Sequence, residues 1–133
     1  MIEIDGLAEV VLNVRSLEQA VEFYEGLLGL TRLSPSGLPG PVFLCAGAAT
    51  SRVPAMIVLV PLPPDAATFS HPRTLHHLAL TVPEAQFEPT RELLFEAGLE
   101  VRAGKHPVLV ARTMYVTDPD GNEVELISPD SAV

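Results

Sequence analysis

Two stretches of this chain carry the same pattern half a chain apart, and that repetition limits the fold more than any other feature. EVVLNVRSLEQAVEFYEGLLGL begins at Glu9, and HLALTVPEAQFEPTRELLFEAGL begins at His77. Each reads as a short apolar strand, then a helix, then a glycine where the helix should stop. EVVLNV and HLALTV agree in pattern at all six positions, at an offset of 68 in a chain of 133 residues. Self-similarity at a fixed period marks one supersecondary unit used more than once, so the chain reads as two copies of one module.

The details of each copy give its elements. In the first, Ser16 can cap a helix, with Gln19 three residues on as in a capping box. Leu17, Ala20, Val21, Tyr24, Leu27 and Leu28 form a helical stripe that Gly29 can end. In the second, Pro89 is costly inside a helix, so the main helix is expected to start near it and run to Ala97, with Gly98 as the stop. Three strands should follow each helix, near residues 30–34, 41–46 and 54–60, and again near 99–103, 109–117 and 121–128. DPDGN, residues 118–122, is a strong turn signal between the last two. SPSGLPGP and PLPPDAATFSHP read as loops. The fold class expected is α+β: two tandem βαβββ modules, about 5–62 and 73–129, within one domain spanning 1–133. Their mixed sheets would form an open curved cup with helices on the outer face.

Composition closes off several functions. A chain of this length buries roughly two-thirds of its unfolded surface, and with 47% hydrophobic residues it should be ordered. No stretch approaches the roughly 20 apolar residues of a membrane-spanning helix, and MIEIDG at the N-terminus lacks a signal-peptide pattern. A cytoplasmic protein with no membrane partner is expected. The formal net charge of −9 would repel a phosphate backbone, and no basic stripe offsets it, so nucleic acid is not expected as a partner. The single cysteine, Cys45, excludes an internal disulfide and a cysteine-rich zinc site; in VFLCAG it reads as a small buried hydrophobe.

Strand alternation separates two faces. Val10, Leu12 and Val14 fall on one face of the first strand, and Glu9, Val11 and Asn13 on the other. In the repeat, Leu78 and Leu80 oppose His77, Ala79 and Thr81. Near the C-terminus Met114 and Val116 oppose Thr113, Tyr115 and Thr117, and Val124 and Leu126 oppose Glu123, Glu125 and Ile127. One face is greasy throughout and should meet the helices. The other mixes small apolar residues with a few polar groups, as a small-molecule site does. The same rule divides LHHLALTV: His77 joins the mixed face with Glu9 and Glu125, while His76 falls on the opposite side and reads as structural.

The doubled βαβββ unit, HLALTV with a helix after it, and RTMYVTDPDGNEVELIS near the C-terminus resemble the vicinal oxygen chelate superfamily, which includes glyoxalases, bleomycin-resistance proteins and extradiol dioxygenases. The resemblance spans essentially the whole chain. It implies a homodimer whose modules pair within or across chains, and one divalent metal ion (Mn, Fe, Ni, Zn or Mg) held in the cup. By position, His77 would be the second-module ligand and Glu125 the C-terminal one. Glu9 falls where most metal-binding members carry histidine, which shifts preference toward harder cations such as Mn, Mg or Fe(II). The repeat puts a fourth position near Ile57, in a strand with no ligand to offer.

Two functions of different class follow. The first is a glyoxalase-like metal-dependent lyase or isomerase acting on a small oxygen-bearing substrate, with Glu125 or Glu9 as proton-shuttling base. Tyr115, Thr113, Asn13 and Thr81 would be the substrate contacts. The second is a metal-free binding protein that sequesters a drug or metabolite, to which the acidic balance and the imperfect ligand set both point. Ring-cleaving dioxygenation would ask for two histidines and a carboxylate, and a phosphonate substrate for a cationic cluster; neither pattern is found. His71 and His106 lie in loops, Arg112 has the parity of the packed face, and Asp118 and Gly121 read as turn-makers.

Overall fold

The computed structural model describes residues 1–37, 39–48, 52–66 and 75–132. It divides into two compact units, Met1–Thr68 and Phe69–Val133. His71 lies outside the described residues.

In the first unit, strand β1 (Glu9–Val14) leads into helix α1 (Leu17–Val21), which continues as a π-helical segment, Glu22–Leu27. The Ser16 hydroxyl accepts from the Gln19 amide at 3.2 Å, so the cap forms where the sequence places it. Ala20, Phe23 and Tyr24 carry the buried stripe. Gly29, at φ +75°, makes the reversal after the helix, a conformation that costs glycine no Cβ clash. Strands β2 (Thr31–Arg32), β3 (Val42–Cys45) and β4 (Met56–Pro61) follow, giving the sheet order β1-β4-β3-β2. β1 and β4 are parallel; the other pairs are antiparallel.

The second unit repeats this plan. Strand β5 (Leu78–Thr81) is followed by a 3₁₀ turn, Glu84–Gln86, and helix α2 (Phe87–Glu96). Strands β6 (Arg102–Lys105), β7 (Ala111–Thr117) and β8 (Glu123–Pro129) complete a sheet of order β5-β8-β7-β6, again parallel only at β5–β8. The helix begins two residues before Pro89. A proline in the first turn removes an N–H that has no intrahelical partner there, so it does not fix the start. Gly98, at φ +86°, ends the helix as expected.

The greasy face is buried in both units. Leu12, Val14, Leu44, Ile57 and Leu59 are buried in the first, and Leu78, Met114, Val116, Val124 and Leu126 in the second. Cys45 is buried and its thiol contacts the Gly47 carbonyl. Arg112 serves packing: its guanidinium lies 4.2 Å from the Phe87 ring centroid and 3.1 Å from Glu88, both on α2. The DPDGN turn is tied by Asp118, whose Oδ1 accepts from the amides of Asp120 and Asn122 and whose Oδ2 accepts from the Asn122 side chain. His106 Nδ1 accepts from the amides of Val108 and Leu109, so this loop histidine holds the β6–β7 connection. No helix among the described residues is long and apolar enough to cross a membrane.

Candidate functional site

Strand register places the polar residues of the second unit in rows. Ala79 pairs with Glu125, Glu125 with Tyr115, and Tyr115 with Arg102. Residues paired across a sheet share a face, so these four stand in one line across β5, β8, β7 and β6. The next line is Thr81, Ile127, Thr113 and Gly104. This is the face opposite the helix.

Glu125 is the centre of the first line. It is 3% exposed, and a carboxylate that deep needs partners. It has two: the Tyr115 hydroxyl donates to Oε1 at 2.9 Å, and His77 Nε2 lies 3.0 Å from Oε2. The neighbouring Thr113 hydroxyl favours the Tyr115 phenolate, but desolvation and the bond to Glu125 outweigh it and hold the phenol above its ordinary pKa. Tyr115 is therefore a protonated donor at neutral pH.

The two histidines meet, against the expectation from alternation. Their Nδ1 atoms are 2.7 Å apart and their ring centroids 5.0 Å. Strand β5 starts only at Leu78, so His76 and His77 precede the pleat and the period-two rule does not govern them. A neutral imidazole donates from one nitrogen and accepts at the other. Which of the two rings donates across the Nδ1 contact follows from their tautomers. His76, His77, Arg102, Tyr115 and Glu123 line a cavity of about 230 Å³. His76, His77 and Glu123 each bring a potential ligand atom within 4.8 Å of the others.

The remaining expected site residues lie on other strand positions. Glu9 and Asn13 lie on β1 of the first unit, both exposed. Thr81 is exposed near the end of β5. Thr113 is 1% exposed, and its hydroxyl has no hydrogen-bond partner of good geometry among the described residues, so it lies under the surface rather than in the cavity. In the first unit Val11 pairs with Val58 as Ala79 pairs with Glu125. Val58, one residue beyond Ile57, is thus the counterpart of Glu125, and this strand still offers no ligand. Arg102 was not singled out from the sequence. In VRAGKH, however, Arg102, Gly104 and His106 share one parity, which a better-placed strand start would have aligned with Tyr115.

Gly104 sets the position of Tyr115. A Cβ there would fall 2.9 Å from Thr113 Oγ1 and 3.2 Å from Tyr115 Cε2. Gly104→Ala should therefore displace the Tyr115 ring and loosen its bond to Glu125, at a stability cost of about 1–3 kcal/mol typical of overpacking. Denaturant unfolding and the ring resonances of Tyr115 check this; unchanged stability with unmoved resonances would refute it.

Comparison with known proteins places this geometry in context. The family model described as Glyoxalase/Bleomycin resistance protein/Dioxygenase superfamily matches residues 6–126. The chain is 28% identical over 128 residues to the glutathione transferase FosA of Serratia marcescens, covering 92% of this chain and 80% of that protein. Among solved structures, a glyoxalase/dioxygenase from Nostoc punctiforme superposes with a TM-score of 0.72 at 19% identity, covering 96% of this chain and 92% of the other. The fosfomycin resistance protein FosX of Listeria monocytogenes gives 0.69 at 17% identity, covering 98% of each.

Proposed function

Because this chain belongs to the glyoxalase/bleomycin resistance protein/dioxygenase superfamily, we propose that it is a metal-dependent enzyme acting on a small oxygen-bearing substrate. The observation that carries this reading is the buried Glu125 carboxylate between His77 and Tyr115 on the face of the second sheet opposite its helix. An imidazole and a carboxylate are ligands for Mn, Fe, Ni, Zn or Mg. His77 Nε2 and Glu125 Oε2 stand 3.0 Å apart, close enough for both to serve one ion. His77 and Glu125 would hold the ion; bound there, it would supply Lewis-acid polarisation of a substrate oxygen. Tyr115 keeps one Glu125 oxygen engaged and so fixes which oxygen faces His77. It also presents a phenol to the cavity, able to donate to a substrate oxygen.

Glyoxalase-type lyase or isomerase chemistry is one form of this reading, with Glu125 or Glu9 moving a proton. Likeness to the glutathione transferase FosA favours a second form, transfer of a thiol to the substrate. Turnover assays with an α-oxoaldehyde hemithioacetal, and with fosfomycin plus glutathione, separate the two.

Metal analysis of protein purified without chelators tests the core of the proposal. A stoichiometric divalent ion is expected, lost in Glu125→Gln and kept in Glu123→Gln. The reverse pattern would move the centre to His76, His77 and Glu123. Protein that takes up no ion from Mn, Ni, Zn or Fe(II) would be a binding protein instead.

A further inference from the structure

The cavity of the second unit is rich in donors although the chain carries a formal net charge of −9. Of its lining residues, Arg102 bears a fixed positive charge, Tyr115 offers a phenol, and His76 and His77 offer ring nitrogens; Glu123 is the one carboxylate among them. Arg102 is aimed by register, because it pairs with Tyr115 as Tyr115 pairs with Glu125. Its guanidinium is weakly held. Nη1 lies 3.1 Å from Glu123 Oε1, with the two side chains 44% and 30% exposed. An exposed ion pair of this kind contributes little, and it engages one nitrogen of a planar fork that can grip two oxygens at once.

We propose that Arg102 seats an oxyanion group of the substrate, a carboxylate, phosphonate or phosphate, and that Glu123 occupies the seat until that group displaces it. The proposal rests on reading the site as one for a small oxygen-bearing substrate: the anion anchors one end of the molecule and leaves the other end facing His77, Glu125 and Tyr115. A cavity of about 230 Å³ suits a molecule of few heavy atoms.

The test is titration of the protein with inorganic phosphate and, separately, with acetate, followed by amide and imidazole NMR shifts. It is run on protein as purified and again after chelator treatment. Arg102→Gln should weaken phosphate binding at least ~10-fold, and Arg102→Lys by less, because the charge remains while the fork is lost. Glu123→Gln should strengthen binding ~3-fold or more, because the internal competitor is gone. Tighter binding of phosphate than acetate would assign a tetrahedral oxyanion, and the reverse a carboxylate. Phosphate affinity unaffected by Arg102→Gln, or weakened by Glu123→Gln, would overturn the proposal. The chelated arm keeps this result separate from the metal reading: dependence on Arg102 there is expected whether or not a metal is found.

Discussion

His77→Ala is expected to weaken divalent metal binding at least ~100-fold, beyond the range caused by loss of a supporting contact to a ligand. His77 belongs to both donor sets that the second unit can form. It faces Glu125 through Nε2 at 3.0 Å, and it stands with His76 and Glu123 in a group whose ligand atoms lie within 4.8 Å. No neighbouring side chain can replace it in both. The fold should survive, because His77 precedes β5, its side chain is part-buried, and Glu125 keeps its bond from Tyr115. Metal content after dialysis, competition with a chelating dye and circular dichroism check the three parts. A folded variant that keeps stoichiometric metal at parental affinity would remove His77 from the centre, and the proposed function with it.

Leu59→Ala is expected to cost about 2–5 kcal/mol, a large share of the roughly 5–15 kcal/mol that holds a domain together. Leu59 is fully buried on β4, the strand between β1 and β3, and pairs with Leu12 on one side and Val42 on the other. All three lie on the helix face, so the methyl groups removed leave a cavity that the surrounding strands cannot fill by a rotamer change. Val11→Ala on the opposite face should cost less than about 1 kcal/mol, since Val11 is half exposed. Urea unfolding curves give both numbers, and equal effects at the two positions would contradict the assignment of faces.

Much of this was legible because it depends on short-range rules. Alternation along β1, β7 and β8 sorted Val14, Met114 and Val124 to the core, and Gly29 and Gly98 marked the helix ends. What escaped depends on where an element starts. Pro89 sits inside the first turn of α2, so it marks the region of the start and not its first residue. His77 reaches Glu125 as alternation expects, but His76 and His77 lie just before the pleat begins, so the rule does not hold them apart. β6 runs over Arg102–Lys105 rather than 99–103, and that shift hid Arg102 from the row it completes. The bond between Tyr115 and Glu125 needs the cross-strand register, which no pattern in either strand contains alone.

The parallel pairing within each sheet has a kinetic consequence. It joins the first strand of a unit to its last: Glu9 meets Met56, and Leu78 meets Val124, about 46 residues apart in each case. Closing such a loop costs entropy that local hairpins do not incur. The antiparallel β6–β7–β8 meander should therefore form early and wait for β5 to dock. Ala79 and the approach of His77 to Glu125 arrive only with that docking, so the buried carboxylate would gain its imidazole partner abruptly, as the last event in the folding of the second unit.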